Sequence, residues 1–197
     1  MQKKVLSDLT KEEIGKLFPI EISEYDTNWP IIYEAERDRI VKNINPNFFS
    51  RIEHFGSTSV PGLSSKNTID ILLAVKFDDT KNQEFIEQMK NIGYDFNWQN
   101  EDGNPHMVFL KGYDPEKPKQ QTYHIHAAPQ DHILWNRIHF RNYLITHPEI
   151  AKAYEDLKRS LADKYKRERV KYRIAKTDFI TKITKKSLPG NIGSFER

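Results

Sequence analysis

The chain has 197 residues, no cysteine and a formal net charge of +3. Without cysteine it has no disulfide and no thiolate zinc site, which fits a reducing compartment. No stretch approaches the roughly 18 apolar residues that a membrane span needs, so a cytoplasmic protein without membrane contact is expected.

Hydrophobic residues make up 37% of the chain and aromatics 12%, so Trp, Tyr and Phe must fill much of the core. Thr10-Lys11-Glu12-Glu13 is a capping-box pattern opening a short helix that ends near Phe18-Pro19. Ile20 to Tyr25 alternates as a strand would. Pro30 sits at a first-turn position of the next helix, whose Trp29, Tyr33, Ile40 and Ile44 share one face before Asn45-Pro46-Asn47 ends it.

Strand, loop and strand follow. Ile52 to Phe55 is a short half-apolar run, and Thr68 to Val75 is a β-branched run suited to a buried strand. The loop between them holds Gly56, Ser57, Thr58, Ser59, Gly62, Ser64, Ser65 and Lys66. Glycines let backbone approach a ligand closely, and N–H groups and hydroxyls can converge on an anion there. Lys66 adds a cation and Asp70 a carboxylate, which together suit a metal–nucleotide site. Glu53 points away from His54 and is read as solvated or paired.

Thr80 and Gln83 can cap a helix with a buried stripe of Phe85, Ile86, Met89 and Ile92, stopped by Gly93. Strands are expected around Tyr94 to Trp98, His106 to Lys111 and Gln121 to Ala127. On the last, His124 and His126 share a face, a spacing that can chelate a metal or bind phosphate. From Asp131, expected to cap a helix through Thr146, the chain reads as helical: His147-Pro148 opens a second helix, and a third runs from about Arg169 to Lys186. Arg141, Lys158 and Lys176 each interrupt an apolar stripe, so each either buries its stem and carries its head out to water or meets an anionic partner, a bound phosphate or an acidic strand residue. Between Lys158 and Lys186, twelve Lys and Arg face three acids. That run reads either as a solvated helical face or as a wall for phosphates or RNA.

The run from His54 to Ile71 resembles the signature of the GrpB family. His54, Gly56, Ser57, Thr58, Ser59, Val60, Pro61, Gly62, Leu63, Lys66, Ile69, Asp70 and Ile71 carry the likeness, and Phe140 to Leu144, His147-Pro148 and Ala175-Lys176 extend it. The resemblance implies a nucleotidyltransferase-like α/β (α+β) fold, a mixed sheet with covering helices. It would comprise a core over residues 1–130 and a helical part over 131–197, or one single domain. It places Gly56, Ser57 and Asp70 where that superfamily carries Gly-Ser and the first of two strand carboxylates. The second would fall at position 72, where this chain has Leu72.

The expectation is therefore a protein that binds a nucleotide or another phosphorylated small molecule with a divalent metal, Mg²⁺, Mn²⁺ or Zn²⁺, and transfers a nucleotidyl group. Asp70 and His126, with or without His124, would hold the metal, His126 replacing the missing carboxylate. His54, Gly56, Ser57, Thr58, Ser59, Lys66, Arg141, Lys158 and Lys176 would face the phosphates, with Asp70 and Lys66 in the chemistry itself; His54 reads equally as a hydrogen-bonded core histidine that fixes the loop. The alternatives are a non-catalytic nucleotide- or RNA-binding module on the same fold and a metal-dependent phosphate-ester hydrolase.

Overall fold

The computed structural model describes residues 9–76, 82–100 and 104–188. Its helices are α1 (Lys11–Leu17), α2 (Trp29–Asn43), α3 (Asn82–Asn91), α4 (Asn136–Thr146), α5 (Pro148–Lys164), α6 (Arg169–Ala175) and α7 (Thr177–Ser187). Its strands are β1 (Phe49–His54), β2 (Thr68–Val75), β3 (Asp95–Gln99), β4 (His106–Lys111) and β5 (Thr122–Pro129). They form one sheet in the order β1-β2-β5-β4-β3, with β2 and β5 parallel and the other neighbours antiparallel. The mixed α/β architecture is the one expected. Among the described residues no helix is long and apolar enough to cross a membrane.

Strand periodicity divides the sheet into two faces. Ile69, Ile71 and Leu73 of β2 pack with Phe109 and Ile125 and with Trp29, Tyr33 and Ile40 of α2 and Phe85 and Met89 of α3. This is the larger core. On the other face Leu72 and Ala74 meet Phe55 and the aromatic start of the helical region, Trp135 and Ile138. The helices from α4 onward build their own core from Phe140, Leu144, Tyr154 and Ile183, closed by Val60 and Leu63 of the central loop. That loop is thus clamped between sheet and helices.

Several expected elements differ. Thr10 makes both capping-box bonds with Glu13, as its pattern predicts. Ile20 to Tyr25 forms no strand and makes a single bridge, Ser23 with Ser65. The helix expected from Asp131 begins at Asn136, because His132 caps a short 3-10 turn over Ile133–Trp135 instead. The helix expected from Arg169 to Lys186 breaks at Lys176, whose N–H bonds the Arg173 carbonyl three residues back and tightens the chain there. The Thr80 cap lies outside the described residues.

One buried carboxylate has a purely structural setting. Glu36, 6% exposed, accepts from the Tyr94 hydroxyl at 2.8 Å and from Lys111 Nζ at 2.5 Å, tying α2 to β4. Glu36→Ala strands both donors, so it is expected to cost about 2–4 kcal/mol. Urea unfolding checks this, and a loss under about 0.5 kcal/mol would contradict it.

Candidate functional site

Asp70 and His124 are register partners across the parallel β2–β5 pair, and Leu72 is the partner of His126. Alternation puts all four side chains on the face that Trp135 and Ile138 cover. Leu72 is fully buried in the apolar cluster with Phe55 and Trp135, so no carboxylate is available there. The neighbouring imidazole of His126 fills that part of the strand pair. One ligand atom each from Asp70, His124 and His126 lies within 4.8 Å of the others. Asp70 and His124 keep 27% and 20% of their side-chain surface exposed, so the cluster is reachable from solvent.

The hydrogen bonds around the histidines fix where lone pairs can point. His106 Nδ1 lies 2.9 Å from the Asn104 carbonyl, which can only accept, so Nδ1 carries the proton. His106 Nε2 is then the acceptor for His126 Nδ1 at 3.0 Å, which leaves His126 Nε2 with its lone pair free. Burial holds the His126 imidazole at about 3, so it stays neutral and able to donate that pair to a cation. His124 Nδ1 lies 3.5 Å from Asp70 Oδ1, and its Nε2 meets the Tyr113 hydroxyl at 2.5 Å. Tyr113 oxygen in turn accepts from Arg169 Nη2 at 2.9 Å. Asp70 is held below the usual carboxylate range: burial opposes this, but the hydrogen bond from His124 and the positive charge of Lys66 outweigh it. One carboxylate and two neutral imidazoles form a donor set that suits Zn²⁺ or Mn²⁺ better than Mg²⁺, which prefers oxygen throughout.

Gly56 bends the loop over this cluster at φ 71° and ψ 179°, a region that only glycine adopts readily. A Cβ there would fall 2.7 Å from Asp70 Cβ and 2.8 Å from its Cγ. The glycine is required by contact as well as by conformation. Ser57, next in the loop, hydrogen-bonds the buried Tyr154 side chain and lines a small cavity of about 50 Å³ with Gly56, Arg137 and Arg141.

Lys66 and Lys176 approach from opposite ends of the chain. Their ammonium groups lie 5.9 Å and 4.3 Å from the centre of the Tyr172 ring. Neither has a hydrogen-bond or ion-pair partner among the described residues, although each feels the Asp70 charge. Burial, reinforced by neighbouring cations including Arg169, lowers Lys66 to about 7 and Lys176 to about 8. Arg137 on α4, likewise without a hydrogen-bond or ion-pair partner, adds positive charge beside His126 and Lys176. Cations outnumber the one carboxylate at this centre.

Other residues expected at the phosphates sit in different surroundings. His54 lies on the opposite sheet face, stacked on Tyr33 at 4.6 Å, with its Nε2 2.9 Å from Thr58 Oγ1. Thr58 passes the link on to the Thr68 carbonyl, so both side chains hold the loop rather than face a ligand. Ser59 donates to the Gly56 carbonyl at 2.6 Å. Lys158 Nζ is buried against the Ser64 carbonyl. Arg141 finds an acidic strand residue, Glu53, at 3.0 Å and the His54 carbonyl at 2.6 Å. Within the basic run Arg159 pairs with Glu24 and Glu155, and Lys171 with Glu168. His106, Tyr113, Arg137 and Arg169 were not singled out by sequence. The signal for His106 was a hairpin count: with β4 and β5 antiparallel, it falls diagonally across from His126.

The GrpB protein family profile matches residues 19–186. UPF0157 protein PA4798 of Pseudomonas aeruginosa is 33% identical over 172 residues, covering 86% of this chain and 68% of that protein. The crystal structure of conserved protein GrpB from Enterococcus faecalis superposes with a TM-score of 0.72 at 31% identity, covering 85% of this chain and 96% of that one. A fainter likeness, TM-score 0.43 at 16% identity, covers 75% of this chain and 42% of Cid1, solved with the UTP analogue UMPNPP. By the extent of the family match, and by the shared fold, the chain belongs to the GrpB family.

Proposed function

We propose that this chain binds the phosphate chain of a nucleoside triphosphate together with a divalent cation at the Asp70 centre and transfers the nucleotidyl group to an acceptor hydroxyl, whose oxygen bonds the α-phosphorus as pyrophosphate leaves. The observation that carries the reading is the pair of unpartnered ammonium groups, Lys66 and Lys176, on Tyr172 beside the Asp70–His124–His126 cluster. Desolvated cations without a counter-ion favour an incoming anion, and a phosphate supplies several charged oxygens at once. Asp70 and the free Nε2 of His126 would hold the metal, and His124 would join them through Nδ1 on release of the proton that it directs at Asp70. When bound, the metal would supply Lewis-acid polarisation of a phosphoryl oxygen. Lys66 and Lys176 would steady the phosphate oxygens and offset the charge that grows on them in the transition state. Tyr113, between Arg169 and His124, would keep that imidazole oriented.

Titration of ATP, GTP, CTP and UTP with Mg²⁺, Mn²⁺ or Zn²⁺, followed by an assay for released pyrophosphate with oligonucleotide, sugar and protein hydroxyl acceptors supplied, tests the reading. Metal-dependent binding with pyrophosphate release supports it. Binding without release would favour a second reading, a nucleotide-binding module without transfer, for which the buried Leu72 in place of a second carboxylate speaks.

The lysines add a pH signature. With Lys66 near 7 and Lys176 near 8, part of the free protein carries neutral amines above those values. Phosphate binding favours the ammonium forms, so it should take up protons near pH 8, and affinity should fall as pH rises. A loss of about tenfold between pH 7 and 9.5 is expected, equivalent to roughly one unit of differential interaction. Calorimetry in buffers of different ionisation enthalpy reads the uptake. Proton release, or affinity that is flat across this range, would contradict it.

A further inference from the structure

A second cavity, of about 610 Å³, opens beside the same centre. Its inner wall is Lys66, Tyr113 and Arg169, and its outer walls come from the segment around Phe18 to Asp26 and the turn at Pro118 to Gln120. We infer that this groove takes the nucleoside half of the nucleotide whose phosphates lie at Lys66 and Lys176, an inference that rests on the phosphate-centre reading above.

Size comes first. The cavity at Gly56 and Ser57 is about 50 Å³, room for water or a phosphate oxygen but not for a ribose and base. The groove falls within the roughly 300–1,000 Å³ of small-molecule sites. Beyond Lys66 and Arg169 its lining carries both signs of charge, Lys16 and Lys119 with Glu21, Glu24 and Asp26. Cationic Lys66 and Arg169 stand at the inner end, where a phosphate would join the centre. Farther out, groups suited to hydroxyls and base edges remain uncommitted. The Asn67 side chain accepts from the Trp29 indole through Oδ1 at 3.0 Å, and its Nδ2 donor has no partner among the described residues. Neither the Glu21 carboxylate nor the Gln120 amide has a partner among the described residues, so they offer an acceptor and a donor–acceptor pair. Tyr113 contributes an aromatic wall whose position is set on both sides. It meets the ring of Phe18 edge-on at 5.1 Å and stacks on His124 at 5.6 Å.

The groove and the metal cluster are therefore joined through single side chains. Tyr113 lines the groove and bonds His124, while Lys66 lines the groove and senses Asp70. A nucleotide lying this way would have its phosphates over the cluster and its nucleoside against Tyr113, with neither half exposed to bulk water on all sides.

The test compares inorganic tripolyphosphate with the nucleoside triphosphates, each with Mn²⁺, by calorimetry on the full chain and on Gln120→Trp and Glu21→Ala. Both positions are exposed, and melting curves verify that the variants fold. The parent should bind at least one nucleoside triphosphate about tenfold or more tighter than tripolyphosphate. Gln120→Trp, which fills the groove, should cut that advantage to about twofold or less without weakening tripolyphosphate. Glu21→Ala should reduce the advantage about threefold or more. Equal binding of tripolyphosphate and every nucleotide by the parent would overturn the inference while leaving the phosphate centre standing. An advantage that survives Gln120→Trp would do the same. Failure of both ligand types to bind the parent would overturn the groove assignment and the phosphate-centre reading together.

Discussion

Gly56→Ala is expected to lower stability by about 2–4 kcal/mol and to abolish metal-dependent nucleotide binding. The conformation at φ 71° and ψ 179° costs a non-glycine residue about 1–3 kcal/mol by itself. The added methyl also meets the Asp70 side chain, so either the loop or the carboxylate must move. Gly62 provides the comparison. It too has a positive φ, 78°, but a Cβ there meets nothing within 4 Å. Gly62→Ala should therefore show backbone strain alone, about 1–2 kcal/mol, or a melting shift of a few degrees in a chain of this size, and should still bind. Paired thermal melts with and without Mn²⁺ and nucleotide separate the two effects. Equal losses in the two variants would mean that the contact with Asp70 is of no consequence.

Asp70→Asn is expected to remove the metal-dependent part of nucleotide binding, at least tenfold, while metal-free phosphate binding holds or strengthens. The amide keeps the size of the side chain but loses the charge that a cation needs. The same loss removes the one negative charge beside Lys66 and Lys176, so an incoming phosphate meets less repulsion. The divergence is the informative part. A merely unfolded variant would lose both kinds of binding, and a variant with metal dependence like the parent's would show that the cation sits elsewhere. Calorimetry with tripolyphosphate, with Mn²⁺ and with chelator, reads both limbs.

The parts of this site that lie within one strand or one turn could be read from sequence. Period-two alternation placed His124 and His126 on one face, and the glycine at 56 marked the turn over the strand that carries Asp70. For His54 the sequence offered a loop-fixing core histidine and a phosphate contact as alternatives without deciding between them. His54 is one residue from the Glu53 face, and its side chain turns to Tyr33 on a helix some 20 residues earlier. Arg141, Lys158 and Lys176 all interrupt apolar stripes, yet their surroundings differ. Glu53 satisfies the first and a backbone carbonyl the second, while the third is left on an aromatic ring. Composition gives the need for a partner but not which partner arrives. Arg169 and Tyr113 come from different elements and meet only through the folded chain, so nothing in either stretch announces them. The break at Lys176 was hidden because the apolar stripe of Tyr172, Phe179 and Ile183 continues through it.

The central claim is that Lys66, Lys176, Asp70 and the two histidines form one centre for metal and phosphate. Crystals grown with Mn²⁺ and a non-hydrolysable nucleoside triphosphate, measured at the manganese absorption edge, test it most directly. The account predicts an anomalous peak at about 2.2 Å from Asp70 and His126, with phosphate oxygens within hydrogen-bond reach of Lys66 and Lys176. Nucleotide bound elsewhere, or a manganese peak on other side chains with this cluster empty, would contradict it.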